Sequence, residues 1–250
     1  MKMPVLLLFA LVLSTFAEKP NVILIYVDDM GYGDASCLNP KAKFKTPNID
    51  RIAKEGVTFT DGHSSDTVCT PSRYSLLTGR YSWRTTLKRG VMGAEGTCLI
   101  TNGRMTLASL LSDNGYTTAM VGKWHLGMNF PGTKGNRDWR QPVKDMPLDK
   151  GFDYFWGIPA SMNYGVLAWF EGRHAKVPPI FFTSKKPSKI AIADYRIMPP
   201  YQKTPKEAPD PEESGRRKMS LKGKGLEVAS DFIDIECLDR FTSQSLKWLD

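Results

Sequence analysis

Apolar residues fill every position from Val22 to Val27, between Pro20-Asn21 on one side and Asp28-Asp29 on the other. A run of this length without alternation predicts a strand buried on both faces of a parallel sheet, with two carboxylates at its carboxyl end. Thr46-Pro47-Asn48 predicts a capped helix through Glu55, Gly56 its stop, and Val57-Thr58-Phe59 a second short extended piece. Pro71 at a first-turn position and Gly79 as a stop predict a short helix just behind Cys69. Thr106 to Asp113 is a further helix with Asn114-Gly115 ending it, and Tyr116 to Val121 a strand that delivers Lys123 and His125 at its carboxyl end. Phe232 to Leu249 carries apolar residues at roughly helical spacing, which predicts a helix on the outer face of a sheet. No internal repeat is visible, and the alternation of strands and helices predicts an α/β fold with a mostly parallel sheet flanked by helices.

Ligands of open parallel sheets bind outside the carboxyl ends of the strands, so Asp28, Asp29, Lys123 and His125 are expected to converge. Cys69 would join them from the start of its helix, facing the positive end of the helix dipole. Taken alone, a single Cys reads as a small buried hydrophobe or as half a disulfide. A thiolate phosphatase loop needs a longer arc of N–H groups than the three residues between Cys69 and Arg73 provide. None of these readings accounts for Pro71 and Arg73 in their places.

Cys69-Thr70-Pro71-Ser72-Arg73 resembles the Cys-x-Pro-x-Arg signature of the type I, formylglycine-dependent sulfatases, and Tyr74 to Arg80 resembles its continuation. Pro20 to Gly31 is similar to that family's first strand, and Gly122-Lys123-Trp124-His125-Leu126-Gly127 to its second signature. Three motifs in the family's order cover most of residues 20 to 170. The resemblance implies the alkaline-phosphatase-like sulfatase superfold, with Cys69 oxidised to formylglycine by a formylglycine-generating enzyme. It further implies that Arg73 holds the modified side chain, Lys123 binds both that side chain and the substrate's sulfate, and His125 takes a proton as sulfate is eliminated. The stretch Gly157 to Ser161 resembles one that brings a further hydroxyl to the substrate, here Ser161. His63 and His174 have no motif around them and read as surface or packing residues.

Adjacent Asp residues are more often a turn cap than a metal site. The resemblance reverses this for Asp28 and Asp29. With the residue 69 oxygen they would ligate a hard cation, Ca²⁺ favoured over zinc for an all-oxygen set and Mg²⁺ remaining open.

Composition bounds these readings: 250 residues with 41% hydrophobic and 24% charged exclude a disordered chain and suffice for one sizeable core. Lys2, the apolar stretch Val5 to Leu13 and Ser14 to Ala17 predict a secretory signal peptide over residues 1–17, with 18–250 as the first part of a catalytic domain. The apolar stretch is about half of the ~20 residues that a span needs, so no stable membrane span is expected, a retained anchor being the alternative. Secreted, periplasmic or lysosomal placement follows. Cys37, Cys98 and Cys237 remain once Cys69 is converted, an odd number that leaves at least one free thiol or an outside partner.

The net charge of +8 is concentrated between Glu171 and Gly225, where thirteen Lys or Arg face six Asp or Glu among eight prolines. This predicts a long irregular surface excursion over 171–225, either merely solvated or an electropositive rim for a sulfated polysaccharide. Nucleic acid is not the expected partner, because the cations alternate with Pro and neither line a helix nor interleave with stacking aromatics. Two other classes stay open: a non-catalytic relative binding sulfated glycan, and a phosphoesterase of the same superfold. Intact Cys69 and Arg73 speak against the first, and the lack of a two-zinc ligand set against the second. Relatives run on for roughly as long again and carry there a second His, a second Lys and an Asp-Asn pair, so a chain ending at Asp250 reads as a fragment, incomplete at its C-terminus.

Overall fold

The computed structural model describes residues 19–184 and 225–250. The signal peptide expected over 1–17 and most of the basic excursion lie outside the described residues. The chain divides into two compact units, Met1–Thr60 and Asp61–Asp250.

In the first unit, α1 spans Pro47–Glu55, with Pro47 starting the helix and the Gly56 N–H bonded to the Ile52 carbonyl at its end. Thr46 occupies the cap position, yet its hydroxyl donates to Asp50 Oδ1 at 2.8 Å and makes no cap bond. Ser36 donates to Asp50 Oδ2 at 2.6 Å and Cys37 N to Oδ1 at 2.9 Å. These bonds, Ser36's first, hold the Asp50 carboxyl below the usual carboxylate range. The expected strand over Val22–Val27 is not formed: its residues are 41–74% exposed and stand in no strand among the described residues. An all-apolar strand is stable only with neighbours on both edges and cover on both faces, and the periodicity says nothing of where those come from. The extended piece at Val57–Phe59 is likewise no strand, and Val57 and Phe59 are exposed.

The second unit carries the core. Helix α2 spans Cys69–Thr78 and α3 Leu107–Asp113, where Thr106 caps by accepting from Ser109 N at 3.0 Å. Gly79 closes α2 in the left-handed conformation, φ 63°, which an L side chain would strain. Strand β1 covers Ala119–Lys123, three residues later than the expected start at Tyr116. The reason is local: Tyr116 N bonds back to Leu111 O, and Thr118 is held by Gly151 O and Asp153.

After the short hairpin β2 (Gly132–Thr133) and β3 (Asn136–Arg137), β4 (Tyr154–Ile158) pairs parallel to β1. Strands β5 (Val166–Leu167), β6 (Phe170–Glu171) and β7 (His174–Ala175) follow, then β8 (Phe181–Ser184) and β9 (Gly225–Val228). One sheet runs β1-β4-β6-β7, parallel at its first pair and antiparallel thereafter, and a second runs β5-β9-β8. The α/β class stands, and among the described residues the sheets are mixed. Glu171, His174–Ala175, Phe181–Ser184 and Gly225, expected within the irregular excursion, instead stand in paired strands, the β6–β7 pair closed by the tight turn at Gly172-Arg173. The β8–β9 ladder pairs Ser184 with Gly225.

The last helix, α4, spans Cys237–Leu249 and packs on β1 and β4 as its spacing predicted. Phe241 sets its ring edge-on to Trp156 and Trp169, and Gln244 Nε2 donates to the Tyr154 hydroxyl at 2.6 Å. Trp124, Trp169, Phe155, Phe170 and Phe232 are fully buried among these elements. The buried Arg137 guanidinium bonds Glu227 Oε2 at 2.7 Å and Glu95 Oε2 at 2.8 Å, tying the β2–β3 hairpin to β9. Such a buried ion pair fixes position more than it adds stability. No described helix is long and apolar enough to cross a membrane.

Candidate active site

Cys69 is the first residue of α2, and Arg73, one turn later, lies on the same helix face. Opposite them β1 ends at Lys123, whose side-chain ammonium donates to Cys69 Sγ at 3.1 Å. Arg73 Nη1 donates to the Lys123 carbonyl at 2.6 Å, so one arginine anchors the backbone from which the lysine reaches the sulfur. The thiol is partly buried, and no disulfide joins any of the four cysteines among the described residues. At Cys98 and Cys237 burial pushes the thiols up to about 12, which keeps them protonated and unreactive.

The chain continues past β1 by laying Trp124 N on Ile158 O (3.0 Å) and His125 N on Pro159 O (2.8 Å). His125 is fully buried and has φ 60°, a left-handed conformation that costs a non-glycine residue about 1–2 kcal/mol. Strain of this kind persists where the surroundings fix it, as they do here. The imidazole lies between the Met92 carbonyl, 2.8 Å from Nε2, and Ser161 Oγ, 3.4 Å from Nδ1, with the Tyr164 ring tilted against it at 5.2 Å between centroids. Thr70, fully buried, donates its hydroxyl proton to His125 O at 2.8 Å and accepts from Met92 N at 3.1 Å.

Hydrogen bonds therefore gather Cys69, Arg73 and Lys123 into one group and Ser161 and His125 into another, the two joined through Thr70 next to Cys69. Asp28 and Asp29 belong to the first unit, where Asp29 has φ 60°, tolerated by Asp more readily than by most side chains. Among the described residues no three His, Cys, Asp or Glu side chains gather to hold a metal ion. His63 is exposed against Asp61 and His174 is exposed on β7, consistent with surface roles.

Thr70, Met92 and Tyr164 were not singled out by the sequence. Thr70 sits inside the signature itself, where its position could have drawn notice. Met92 contributes only backbone atoms, which leave no trace in side-chain patterns.

Residues 20–174 match the family described as Sulfatase. The chain is 39% identical over 158 residues to an N-acetylgalactosamine-6-O-sulfatase of Bacteroides thetaiotaomicron, covering 63% of this chain and 30% of that protein. It is 41% identical over 167 residues to human steryl-sulfatase, covering 63% of this chain and 27% of the relative. A solved structure from work on the metabolism of multiple glycosaminoglycans by Bacteroides thetaiotaomicron superposes with a TM-score of 0.68 at 29% identity, over 93% of this chain and 48% of that one. The crystal structure of Ps i-CgsB in complex with k-i-k-neocarrahexaose, at 23% identity and a TM-score of 0.56, shares the fold over 93% of this chain and 42% of its own. The chain thus spans less than a third of the length of the curated relatives it matches.

Proposed function

Since this chain belongs to the sulfatase family, we propose that it carries the nucleophile-bearing part of a sulfuric ester hydrolase acting on a carbohydrate or aryl sulfate. The observation that carries the reading is the Cys69-to-Arg73 run folded as the opening of α2, with the Lys123 ammonium on the sulfur of Cys69. A chain of this length, measured against its relatives, is read as the N-terminal portion of a longer enzyme. An in-frame continuation beyond codon 250 that encodes a second His and an Asp-Asn pair is the test of that portion of the reading.

A formylglycine made from Cys69 would supply, as its hydrate, two hydroxyls on one carbon: one nucleophile toward sulfur and one whose deprotonation releases sulfate. The residues around it suit that group. Cys69 is in no disulfide and stands at a helix start. Lys123 holds its charge against the atom at position 69 and would neutralise sulfuryl oxygens as negative charge builds on them. Arg73 fixes the backbone of Lys123, and so the reach of that charge. His125 would accept a proton at its unprotonated ring nitrogen, and Ser161 would orient the substrate beside it.

Ca²⁺ stays within the proposal through Asp28 and Asp29, since all-oxygen carboxylates suit a hard cation. Two carboxylates fall short of the roughly six to eight oxygens that Ca²⁺ takes, so the described residues alone do not make its site and no step is assigned to it. Export through a signal over residues 1–17 and oxidation by a formylglycine-generating enzyme complete the reading.

Expressed through the secretory route of a host with that enzyme, the peptide around residue 69 should lose the mass of a thiol and gain that of an aldehyde. Peptide mass analysis reads this directly. Unmodified Cys69, in a host that converts a control sulfatase, sinks the proposal.

A further inference from the structure

The Met92 carbonyl can accept a hydrogen bond and cannot donate one, so the 2.8 Å contact with His125 requires the hydrogen on Nε2. A neutral imidazole then has its lone pair on Nδ1, where the Ser161 hydroxyl lies at 3.4 Å and can donate to it. When His125 is charged both ring hydrogens still have acceptors, the Met92 carbonyl at Nε2 and Ser161 Oγ at Nδ1. Holding this tautomer requires that residue Met92 and the His125 backbone stay in fixed relation. Thr70 does this: its hydroxyl bridges His125 O and Met92 N, and it is fully buried. A hydroxyl has one hydrogen to give, so donation to the His125 carbonyl leaves only its lone pairs for the Met92 N–H, and the polarity of the bridge is set.

We propose that Thr70 is a positioning residue that, through Met92, holds His125 in the Nε2–H tautomer and makes Nδ1 the atom at which His125 takes up a proton. The inference deepens the proposed hydrolase site and rests on that reading only for its effect on turnover. Without the Thr70 hydroxyl, the His125 carbonyl and the Met92 N–H each lose this bond, and Met92, whose carbonyl meets the ring, loses an anchor to the His125 backbone.

The expressed chain holds three histidines, so long-range ¹H–¹⁵N spectra of the imidazoles are simple, and loss of a signal in His125→Asn assigns it. Wild-type His125 is expected to show a protonated Nε2 and a bare Nδ1 while neutral. Thr70→Val is expected to average the two nitrogens, and Thr70→Ser, which restores the hydroxyl, to return the wild-type pattern. A wild-type spectrum with hydrogen on Nδ1 overturns the inference, and so does Thr70→Val with an unchanged Nε2–H pattern. Should Thr70→Val fail to fold, Thr70→Ala takes its place, with the same averaging expected and an unchanged Nε2–H pattern again overturning the inference. In the enzyme's sulfatase assay, Thr70→Val should lower kcat about tenfold with KM unchanged, part of the range that a positioned acid or base contributes. The expected tautomer in a protein without sulfatase turnover would support this inference and count against the proposed function.

Discussion

Cys69→Ser is expected to cut sulfatase turnover by roughly 10³-fold or more, the scale seen when one member of a catalytic unit is lost. The reason is chemical and not structural. Serine fits the partly buried first position of α2, offers an oxygen to the Lys123 ammonium in place of Sγ, and disturbs no core contact. Its hydroxyl can still attack sulfur and displace the alcohol. Its carbon, however, bears a single oxygen, so no carbonyl can form as sulfate departs, and the sulfuryl group stays on the enzyme. Intact mass should therefore show a sulfate adduct on Cys69→Ser and none on Cys69→Ala, with both variants melting close to the wild type. Cys69→Ser turning over as fast as the wild type would rule out the two-hydroxyl mechanism.

The elements that frame this chemistry were legible where local signals decide structure. Pro71 in the first turn and Gly79 at φ 63° bracket α2, and the four-residue spacing of Cys69 and Arg73 puts both on one face. Thr106 and Asn114 bracket α3 in the same way. What failed was what depends on distant partners. The apolar run Val22–Val27 encodes a wish for burial but not its source, and it lies exposed here. The hairpin of β6 and β7 was hidden by averaging charge and proline over 171–225, although Gly172 between two short extended pairs marks its turn. At the site, Lys123 and His125 could be placed at a strand end from sequence. The handling of His125 could not, since the Met92 carbonyl, the Pro159 carbonyl and the backbone at φ 60° are set by the fold around them.

The β1–β4 pair makes the other large effect. Its parallel register places Gly122 opposite Gly157, and a Cβ on Gly157 would lie 1.8 Å from Gly122 O and 2.8 Å from Gly122 C. Those atoms are backbone inside a sheet, so no rotamer change can relieve the overlap. Gly157→Ala must push the strands apart and is expected to cost about 3 kcal/mol or more, at the upper end of overpacking effects. For a chain of this size that is a fall in Tm of about 6–12 °C. Gly122→Ala meets no atom within 4 Å and suffers only from its φ of 129°, so a smaller loss of about 1–2 kcal/mol is expected there. The damage at Gly157 should also reach the site, because Ile158 O and Pro159 O, just beyond it, hold the Trp124 and His125 amides, and Lys123 is paired with Ile158. Thermal melts followed by circular dichroism decide the order. Gly157→Ala melting within about 1 °C of the wild type, or above Gly122→Ala, would mean that the two strands do not approach as closely as this register requires.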